Sequence, residues 1–313
     1  MRYFFYFLLI YSSCYSQTLK ILDAATQKPI PFATVLLKQE DKIVYGTYCS
    51  DNGEVIIAAN KEYSFASFSC VGYKDKTIQK SLLAEIIYLE PEVYSLDEVV
   101  LTGKKLKDTL IGAFENRRET YTEIDTKHQY AYFFENTFKG RAVIKSFVFK
   151  VATVRYKTAL RIHILKKIDC KWGYKIKGDT TQYFYDSFIP DNDLLNENII
   201  VYINPQKKGT VEVDLSTYNF EIPAEGIFVG IECLAFYDDE GKELNTTESR
   251  TEIAFHETVT DNYGKKISLV NSFWVNHNKW VKKDFELVFK TLPGKKSLIA
   301  PSFGLKVLNY KEQ

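Results

Sequence analysis

Three tryptophans stand among polar residues and are the side chains of this sequence best suited to bind a ligand. Trp172 lies in K-W-G-Y, Trp274 in F-W-V-N-H and Trp280 in N-K-W-V. An exposed indole with Asn and Tyr beside it can stack on the apolar face of a sugar ring. Tryptophan is also amphipathic and commonly covers the edge of a hydrophobic core. Two interpretations of Trp172, Trp274 and Trp280 therefore stay open: ligand-binding residues, or residues at a core edge.

Signatures of catalysis or metal binding are missing from the sequence. The four histidines form no H-E-x-x-H or H-x-x-E arrangement, and no C-x-x-C pair, G-x-S-x-G motif or glycine-rich phosphate loop is present. His163 falls in the alternating stretch L-R-I-H-I-L, which predicts a half-exposed strand residue. We therefore predict no catalytic residue, no metal and no cofactor.

Carboxylates are plentiful, but they lie in sequences typical of turns. Asp191 and Asp193 fall in P-D-N-D-L, and residues 238–240 read D-D-E before a glycine. Paired carboxylates can serve as general acid and base. A solvated loop is the simpler interpretation of these acidic residues, including Asp193.

The composition favours β-structure and excludes a charge-driven partner. Aromatic residues make up 15% of the chain, with 22 Tyr and 22 Phe, and aromatic rings fit the pleated surface of a sheet. Forty-one basic residues stand against 40 acidic ones, so no net field attracts nucleic acid or an anionic membrane.

The first residues have the layout of a secretory signal peptide. One arginine precedes an apolar run from Tyr3 to Tyr11, and small residues follow. The run is about half the roughly 20 residues that a membrane-spanning helix needs. We expect residues 1–16 to be removed, so that Gln17 becomes the first residue; lipidation at Cys14 is the alternative. The protein is thus predicted to be exported, to the periplasm or to an outer-membrane-associated or extracellular location, without a membrane span.

The cysteines that follow do not decide a redox state. Cys49 and Cys70 could be bridged in an oxidising compartment, but Cys70 lies in the apolar run F-A-S-F-S-C-V, where a lone buried thiol is common. The bonding of Cys170 and Cys233 is equally open.

Residues 17–92 have the pattern of a small β-sandwich. Leu19 and Ile21 alternate with polar residues, and further strands are predicted at Tyr63–Val71 and Ile86–Leu89. Asn52 and Gly53 predict a tight hairpin, because both central positions of a type I′ turn need positive φ.

This region also resembles a known family. The blocks D-x(4)-K-P-I-P-F-A-T-V, G-T-x(3)-D-N-G-E, S-C-V-G-Y and I-Y-L-E-P are similar to those of the carboxypeptidase regulatory-like domain. The resemblance implies a transthyretin-like sandwich that carries no zinc site of its own, and therefore no peptidase activity.

Residues 94–103 read Y-S-L-D-E-V-V-L-T-G. This phrase resembles the segment that TonB-dependent outer-membrane transporters present to their energy-coupling partner. About 210 residues follow it, too few for a transporter barrel of about 22 strands. The segment either adds as a strand to a partner's sheet or completes the first domain with its apolar residues Val99, Val100 and Leu101. We prefer the second interpretation, so that coupling to TonB is not expected.

Residues 93–118 are predicted to be a linker that contains one short helix. Within 104–118, the apolar residues Leu106, Leu110, Ile111 and Phe114 fall on one helical stripe. Beyond it, residues 119–313 are predicted to form a second, jelly-roll-like sandwich of nine or ten strands. In G-T-V-E-V-D-L-S, for example, Val211, Val213 and Leu215 are expected to point inward.

Within residues 144–232 lie the stretches I-K-S-F-V-F-K-V, L-R-I-H-I-L, D-L-L-N-E-N-I-I and V-E-V-D-L-S-T-Y-N-F-E-I-P-A-E-G-I-F-V-G-I-E. They are similar to the uncharacterised C-terminal domains that follow carboxypeptidase regulatory-like modules in secreted envelope proteins of Gram-negative bacteria. Residues 170–190 depart from that pattern and suggest an inserted hairpin. The resemblance implies no established chemistry. From the sequence alone we expect a secreted, non-enzymatic binding or scaffolding protein of the bacterial cell envelope, with an envelope protein or a glycan as partner. The alternatives are a glycan-binding accessory protein and a small hydrolase with an unrecognised site.

Overall fold

The chain folds into two compact units, Met1–Val93 and Tyr94–Gln313, in a computed structural model. The structure describes residues 16–58, 60–92, 107–112, 114, 119–126, 128–175, 182–244, 251–259, 268–272, 280–282 and 297–309. The predicted signal peptide up to Tyr15 and the phrase at 94–103 lie outside these residues.

The N-terminal unit is a sandwich of two small sheets. Its strands are β1 (Gln17–Asp23), β2 (Thr34–Gln39), β3 (Lys42–Tyr48), β4 (Glu54–Ile57), β5 (Phe65–Ser69), β6 (Lys76–Gln79) and β7 (Ile86–Leu89), and Lys80–Leu82 form one turn of 3₁₀ helix. One sheet has the order β4-β1-β7 and the other β3-β2-β5-β6. Leu19 and Ile21 point into the core, as their alternation predicts.

The hairpin predicted at Asn52 and Gly53 is wrong. β3 pairs with β2, whereas β4 pairs with β1 in the other sheet, so the turn carries the chain from one sheet to the other. Gly53 does have positive φ, +73°, and a Cβ at this position would lie 2.7 Å from the carbonyl oxygen of Ile21. The glycine therefore marks a close approach of two backbones, which local turn statistics cannot distinguish from a hairpin.

The C-terminal unit contains two larger sheets. Its strands are β8 (Lys107–Gly112), β9 (Glu119–Glu123), β10 (His128–Phe134), β11 (Ala142–Val154), β12 (Lys157–Lys175), β13 (Gln182–Asp193), β14 (Ile199–Ile203), β15 (Gly209–Asp214), β16 (Ile227–Tyr237), β17 (Thr251–Val259), β18 (Ser268–Ser272), β19 (Trp280–Lys282), β20 (Ser297–Pro301) and β21 (Gly304–Asn309); Ser216–Tyr218 form a 3₁₀ turn. One sheet has the order β13-β12-β16-β10-β18-β19, with β14 also on β12. The other has the order β20-β17-β11-β21-β8, with β15 on β11 and β9 on β17.

The linking helix predicted within 104–118 is wrong. Lys107–Gly112 form β8, which pairs antiparallel with β21 from Gly304↔Gly112 to Asn309↔Lys107. Leu110 is 47% exposed, so the apolar residues that suggested a helix do not form one buried helical face. The backbone of β21 offers hydrogen bonds along the whole segment, and this long-range pairing outweighs helical spacing.

Side-chain alternation separates the two faces of the β12–β16–β10 sheet. Tyr130 on β10 meets Phe255 on β17 at 5.2 Å between ring centroids, so its row faces the second sheet. Ile231 and Ile162 occupy the same row across the sheet and are fully buried. Arg161 is next to Ile162 in sequence, and Glu232 is next to Ile231. Both therefore lie on the opposite face of the sheet.

Residues 170–175 and 182–190 belong to two strands that pair as the predicted hairpin does. β12 and β13 pair antiparallel from Leu165↔Asp193 to Lys175↔Gln182. Val211, Val213 and Leu215 are buried, also as predicted. The all-β sandwich class expected from the composition is confirmed. No helix in the part of the chain that the structure describes has the length and apolar character to cross a bilayer.

Candidate functional site

The structure does not bring Trp172 and Trp280 together. Trp172 lies on β12 opposite Tyr185, and Trp280 on β19 opposite Asn271. β16, β10 and β18 separate these strands, a distance of about 19 Å at the usual strand spacing. Trp274 lies outside the described residues. Trp172 and Trp280 therefore do not form one ligand site, and a ligand role for each stays a prediction.

A cluster of four charged side chains stands out instead. Arg161 and His163 on β12, Glu232 on β16 and Asp193 at the end of β13 meet on the outer face of the sheet. Arg161 is 3%, His163 7% and Glu232 1% exposed, while the Asp193 side chain is 13% exposed. Charged groups are almost never buried in this way unless they are paired. We refer to these four residues as the clasp.

Histidine 163 is the centre of the clasp. Its Nδ1 lies 2.6 Å from Oδ2 of Asp193, and its Nε2 lies 3.0 Å from Oε2 of Glu232. Nη1 of Arg161 donates to the same Oε2 of Glu232 at 3.0 Å. Two positive and two negative groups are thus balanced in one buried cluster.

Strand register explains how these residues come together. Arg161 stands directly opposite Glu232, and His163 opposite Gly230. Gly230 is required by a close approach of β10, because a Cβ there would lie 2.5 Å from the carbonyl oxygen of Tyr130.

Asp193 is the last residue of β13; the end of β13 and the connection to β14, residues 190–198 together, we call the corner. Its Oδ1 accepts the N–H of Leu195 at 3.0 Å, while Oδ2 faces His163. The N–H of Leu194 donates to the carbonyl of Ile164 at 2.7 Å, and Leu195 is buried. The backbone bond of Leu194 and the clasp therefore attach the corner to β12 beyond the end of the β12–β13 pairing.

The electrostatics favour a protonated histidine. Burial by itself lowers the pKa of His163, but the hydrogen bonds to Asp193 and Glu232 and their charges outweigh it and raise the pKa to about 9. Both ring nitrogens then donate to carboxylates, an arrangement that only the imidazolium can make.

Apolar groups surround the clasp and limit its contact with water. Phe133, Leu165 and Phe228 form a buried cluster on this face with Ala131, and Phe188 packs against it. The Phe133 ring lies 4.5 Å from that of Phe188 and 5.2 Å from that of Phe228. In surroundings of low polarity, a hydrogen-bonded ion pair is stronger than in water, and a charge left without its partner costs more free energy.

Two expectations from the sequence are corrected here. His163 is buried rather than half-exposed, because the outer face of the sheet is covered at this point. Asp193 is not in a solvated loop, since its carboxylate is directed at His163. Asp238 does form a turn, with Oδ1 accepting the N–H groups of Glu240 and Lys242.

One sequence signal could have located the clasp. Glu232 is the single charged residue in the run I-F-V-G-I-E-C-L-A-F-Y, which forms β16 and is buried at every position. A lone carboxylate in such a strand requires a buried cationic partner. Arg161 and His163, two positions apart in the apolar segment A-L-R-I-H-I-L of β12, were the candidates.

No metal site accompanies the clasp. Within the described ranges, no group of three His, Cys, Asp or Glu side chains could hold a metal ion. Cys49, Cys70, Cys170 and Cys233 are unbridged. Burial raises the pKa of the Cys233 thiol well above its usual range, so this cysteine is not an activated nucleophile.

Comparisons with known proteins give distant similarities only. No protein-family profile matches the chain, and no curated protein is similar to it in sequence. Among solved structures, the cysteine protease and lectin-like domains of Cwp84, a surface layer associated protein of Clostridium difficile, share 10% identity at a TM-score of 0.37, over 90% of this chain and 59% of that one. The clostridial cysteine protease Cwp84 after propeptide cleavage shares 10% identity at a TM-score of 0.36, over 94% and 71%. The chain thus spans about three fifths of the first structure.

These comparisons contradict the function expected from the sequence. That expectation named a secreted, non-enzymatic binding or scaffolding protein, whereas both solved structures are described as a cysteine protease, and one of them also as having lectin-like domains. The expectation is wrong as it stands and is not retained. At TM-scores of 0.37 and 0.36, the protease and lectin descriptions are not transferred to this chain either.

Proposed function

We propose that the clasp has a structural role: it fastens the corner to the β12–β16 sheet and so fixes the base of the long β12–β13 hairpin. The observation that carries the proposal is the position of His163 between Asp193 of the corner and Glu232 of β16. β13 and β14 pair with the same edge of β12. The corner is where the chain passes from β13 to β14.

The backbone pairing that leads into the corner is irregular. The pairing of β12 with β13 shifts register between Leu165 and Lys167, and Asp193 pairs at the last position of that ladder. A side-chain bond from Asp193 to a cation on β12 therefore adds attachment where the ladder ends.

A catalytic role for the clasp is not proposed. A general base needs a free nitrogen or oxygen within reach of a substrate proton, and both ring nitrogens of His163 are engaged with carboxylates. Arg161, His163 and Glu232 are also buried. The prediction that the chain is not an enzyme therefore remains as a proposal, supported by this arrangement.

The experiment that tests the clasp is the substitution Asp193→Asn. The amide oxygen can still accept a hydrogen bond but carries no charge to balance the imidazolium, so the C-terminal unit should lose about 2 kcal/mol of unfolding free energy. Hydrogen exchange at the amides of Leu194 and Leu195 should accelerate first, because their acceptors belong to the corner attachment.

The matched control is Asp191→Asn, the same chemical change two residues earlier on the corner. It should leave stability within about 0.5 kcal/mol and exchange at Leu194 unchanged. Equal effects of the two substitutions would mean that Asp193 acts through the general charge of the corner and not through His163.

We also propose that the protein is exported. The support is the sequence of residues 1–16, with its arginine, short apolar run and small residues. Expression in a Gram-negative host should give a mature chain that begins at Gln17, and intact mass spectrometry should show no acyl group. A diacylglyceryl group that disappears in a Cys14→Ser variant would overturn release in soluble form and show lipidation.

Membership of the carboxypeptidase regulatory-like family stays a proposal as well. A sandwich of sheets β4-β1-β7 and β3-β2-β5-β6 is the kind of fold that the resemblance implies. The phrase at 94–103 and its apolar residues Val99 and Val100 lie outside the described residues, so the interpretation of that segment as a final strand is still a prediction.

A further inference from the structure

The two carboxylates of the clasp differ in how easily they can leave His163. Glu232 is 1% exposed and also accepts a hydrogen bond from Arg161. Asp193 is 13% exposed at its side chain and lies at the end of β13. If the cluster loses one attachment, Asp193 is therefore the carboxylate that lies closer to water.

Loss of the His163 proton makes one of its two carboxylate contacts unfavourable. Neutral imidazole has only one N–H, so one of the two carboxylates must then face a nitrogen lone pair without a proton between them. The remaining charges are Arg161 against Glu232 and Asp193 together, a net excess of one negative charge in a buried place. Repulsion and desolvation then favour moving one carboxylate into water.

We infer that the clasp is a pH-dependent lock: loss of the His163 proton releases Asp193 and the corner from β12, while Glu232 stays bound to Arg161. The inference rests on the proposed structural role of the clasp. The groups facing His163 are Asp193 from the corner and Glu232 from β16, with Arg161 beyond Glu232 on β12 itself.

In the part of the chain that the structure describes, His163 forms ion pairs with Asp193 and Glu232. β10 contributes Ala131 and Phe133 to the surrounding apolar cluster. Lys167, farther along β12, lies 2.7 Å from Asp169 and is 17% exposed at its side chain. Its Nζ stands over the ring of Phe188 at 5.4 Å from the centroid, so it is engaged on the far side of that ring.

The direction of the effect follows from the raised pKa of His163, about 9 against an ordinary value near 6.5. The attachment is complete below about pH 6.5 and is lost as the pH rises through about 9. Since each pKa unit corresponds to a tenfold change, the ratio of open to closed corner should increase by about two orders of magnitude between pH 6 and pH 10.

The test is made on the full chain by two measurements. In an NMR titration, the ring resonance of His163, recognised by its disappearance in His163→Gln, should titrate near pH 9. Hydrogen exchange at Leu194 and Leu195, corrected for the intrinsic pH dependence of exchange, should show the hundredfold gain in opening over the same range. Amides of β1 in the N-terminal sandwich serve as the internal reference.

The outcomes separate the lock from the clasp. A His163 resonance that titrates at or below about pH 6.5, or corner opening that stays constant from pH 6 to pH 10, overturns the lock. If Asp193→Asn loosens the corner at pH 6 in either of these cases, the clasp survives without its pH dependence. If Asp193→Asn leaves the corner unchanged at pH 6, the structural role itself fails, and the lock with it.

Discussion

Replacing Glu232 by Gln should destabilise the C-terminal sandwich by about 3–5 kcal/mol, the usual cost of removing one partner from a buried ion pair. Glu232 is 1% exposed and holds both Arg161 and His163. Glutamine keeps the size of the side chain but leaves two buried cations facing one carboxylate, that of Asp193. The loss should appear in denaturant unfolding followed by tryptophan fluorescence, because Trp172, Trp274 and Trp280 all belong to this unit.

Glu221→Gln is the control for this substitution. Glu221 pairs with Arg141 at 2.9 Å, but the two side chains are 39% and 46% exposed. An exposed pair contributes little, so the change in unfolding free energy should stay below about 1 kcal/mol. A Glu232→Gln protein as stable as the Glu221→Gln protein would show that the buried charges are not balanced in the way the structure indicates.

The second large effect is expected in the N-terminal sandwich. Gly53→Ala should cost roughly 2–5 kcal/mol, from the strain of positive φ in a non-glycine residue and from steric overlap in a packed region. The added Cβ would lie 2.7 Å from the carbonyl oxygen of Ile21 and 3.2 Å from Cβ of Pro29. Hydrogen exchange at Ile21, whose N–H donates to the carbonyl of Gly53 at 2.8 Å, should report the loss.

Gly209→Ala separates the two causes. Gly209 has a similar φ of +84°, but nothing lies within 4 Å of a Cβ built there. This variant should show only the backbone strain, about 1–2 kcal/mol, in the C-terminal unit. If Gly53→Ala costs no more than Gly209→Ala, the close approach at Ile21 is absent in solution.

The sequence predicted strands well where alternation was local. Ile86–Leu89 was predicted as a strand and forms β7 with these bounds. Val211 and Val213 point inward on β15, because one side of that strand faces the core and the other faces solvent. In both cases the pattern along the chain contains the information that determines the structure.

The errors share a physical cause, which is pairing between residues far apart in sequence. Residues 107–112 have helical spacing, yet the edge of β21 makes them a strand. Asn52 and Gly53 resemble a hairpin turn, yet the partner of β4 is β1. His163 was predicted to be half-exposed because no local pattern indicates that Asp193, 30 positions later, would cover it.

The coupling between His163 and Asp193 tests the clasp most directly. A double-mutant cycle with His163→Gln, Asp193→Asn and the combined variant isolates this contact from the effect of each side chain alone. At pH 6, where His163 carries its proton, unfolding followed by tryptophan fluorescence should give a coupling free energy of about 1.5–3 kcal/mol. Additive effects, within about 0.5 kcal/mol, would contradict a structural bond between the corner and β12.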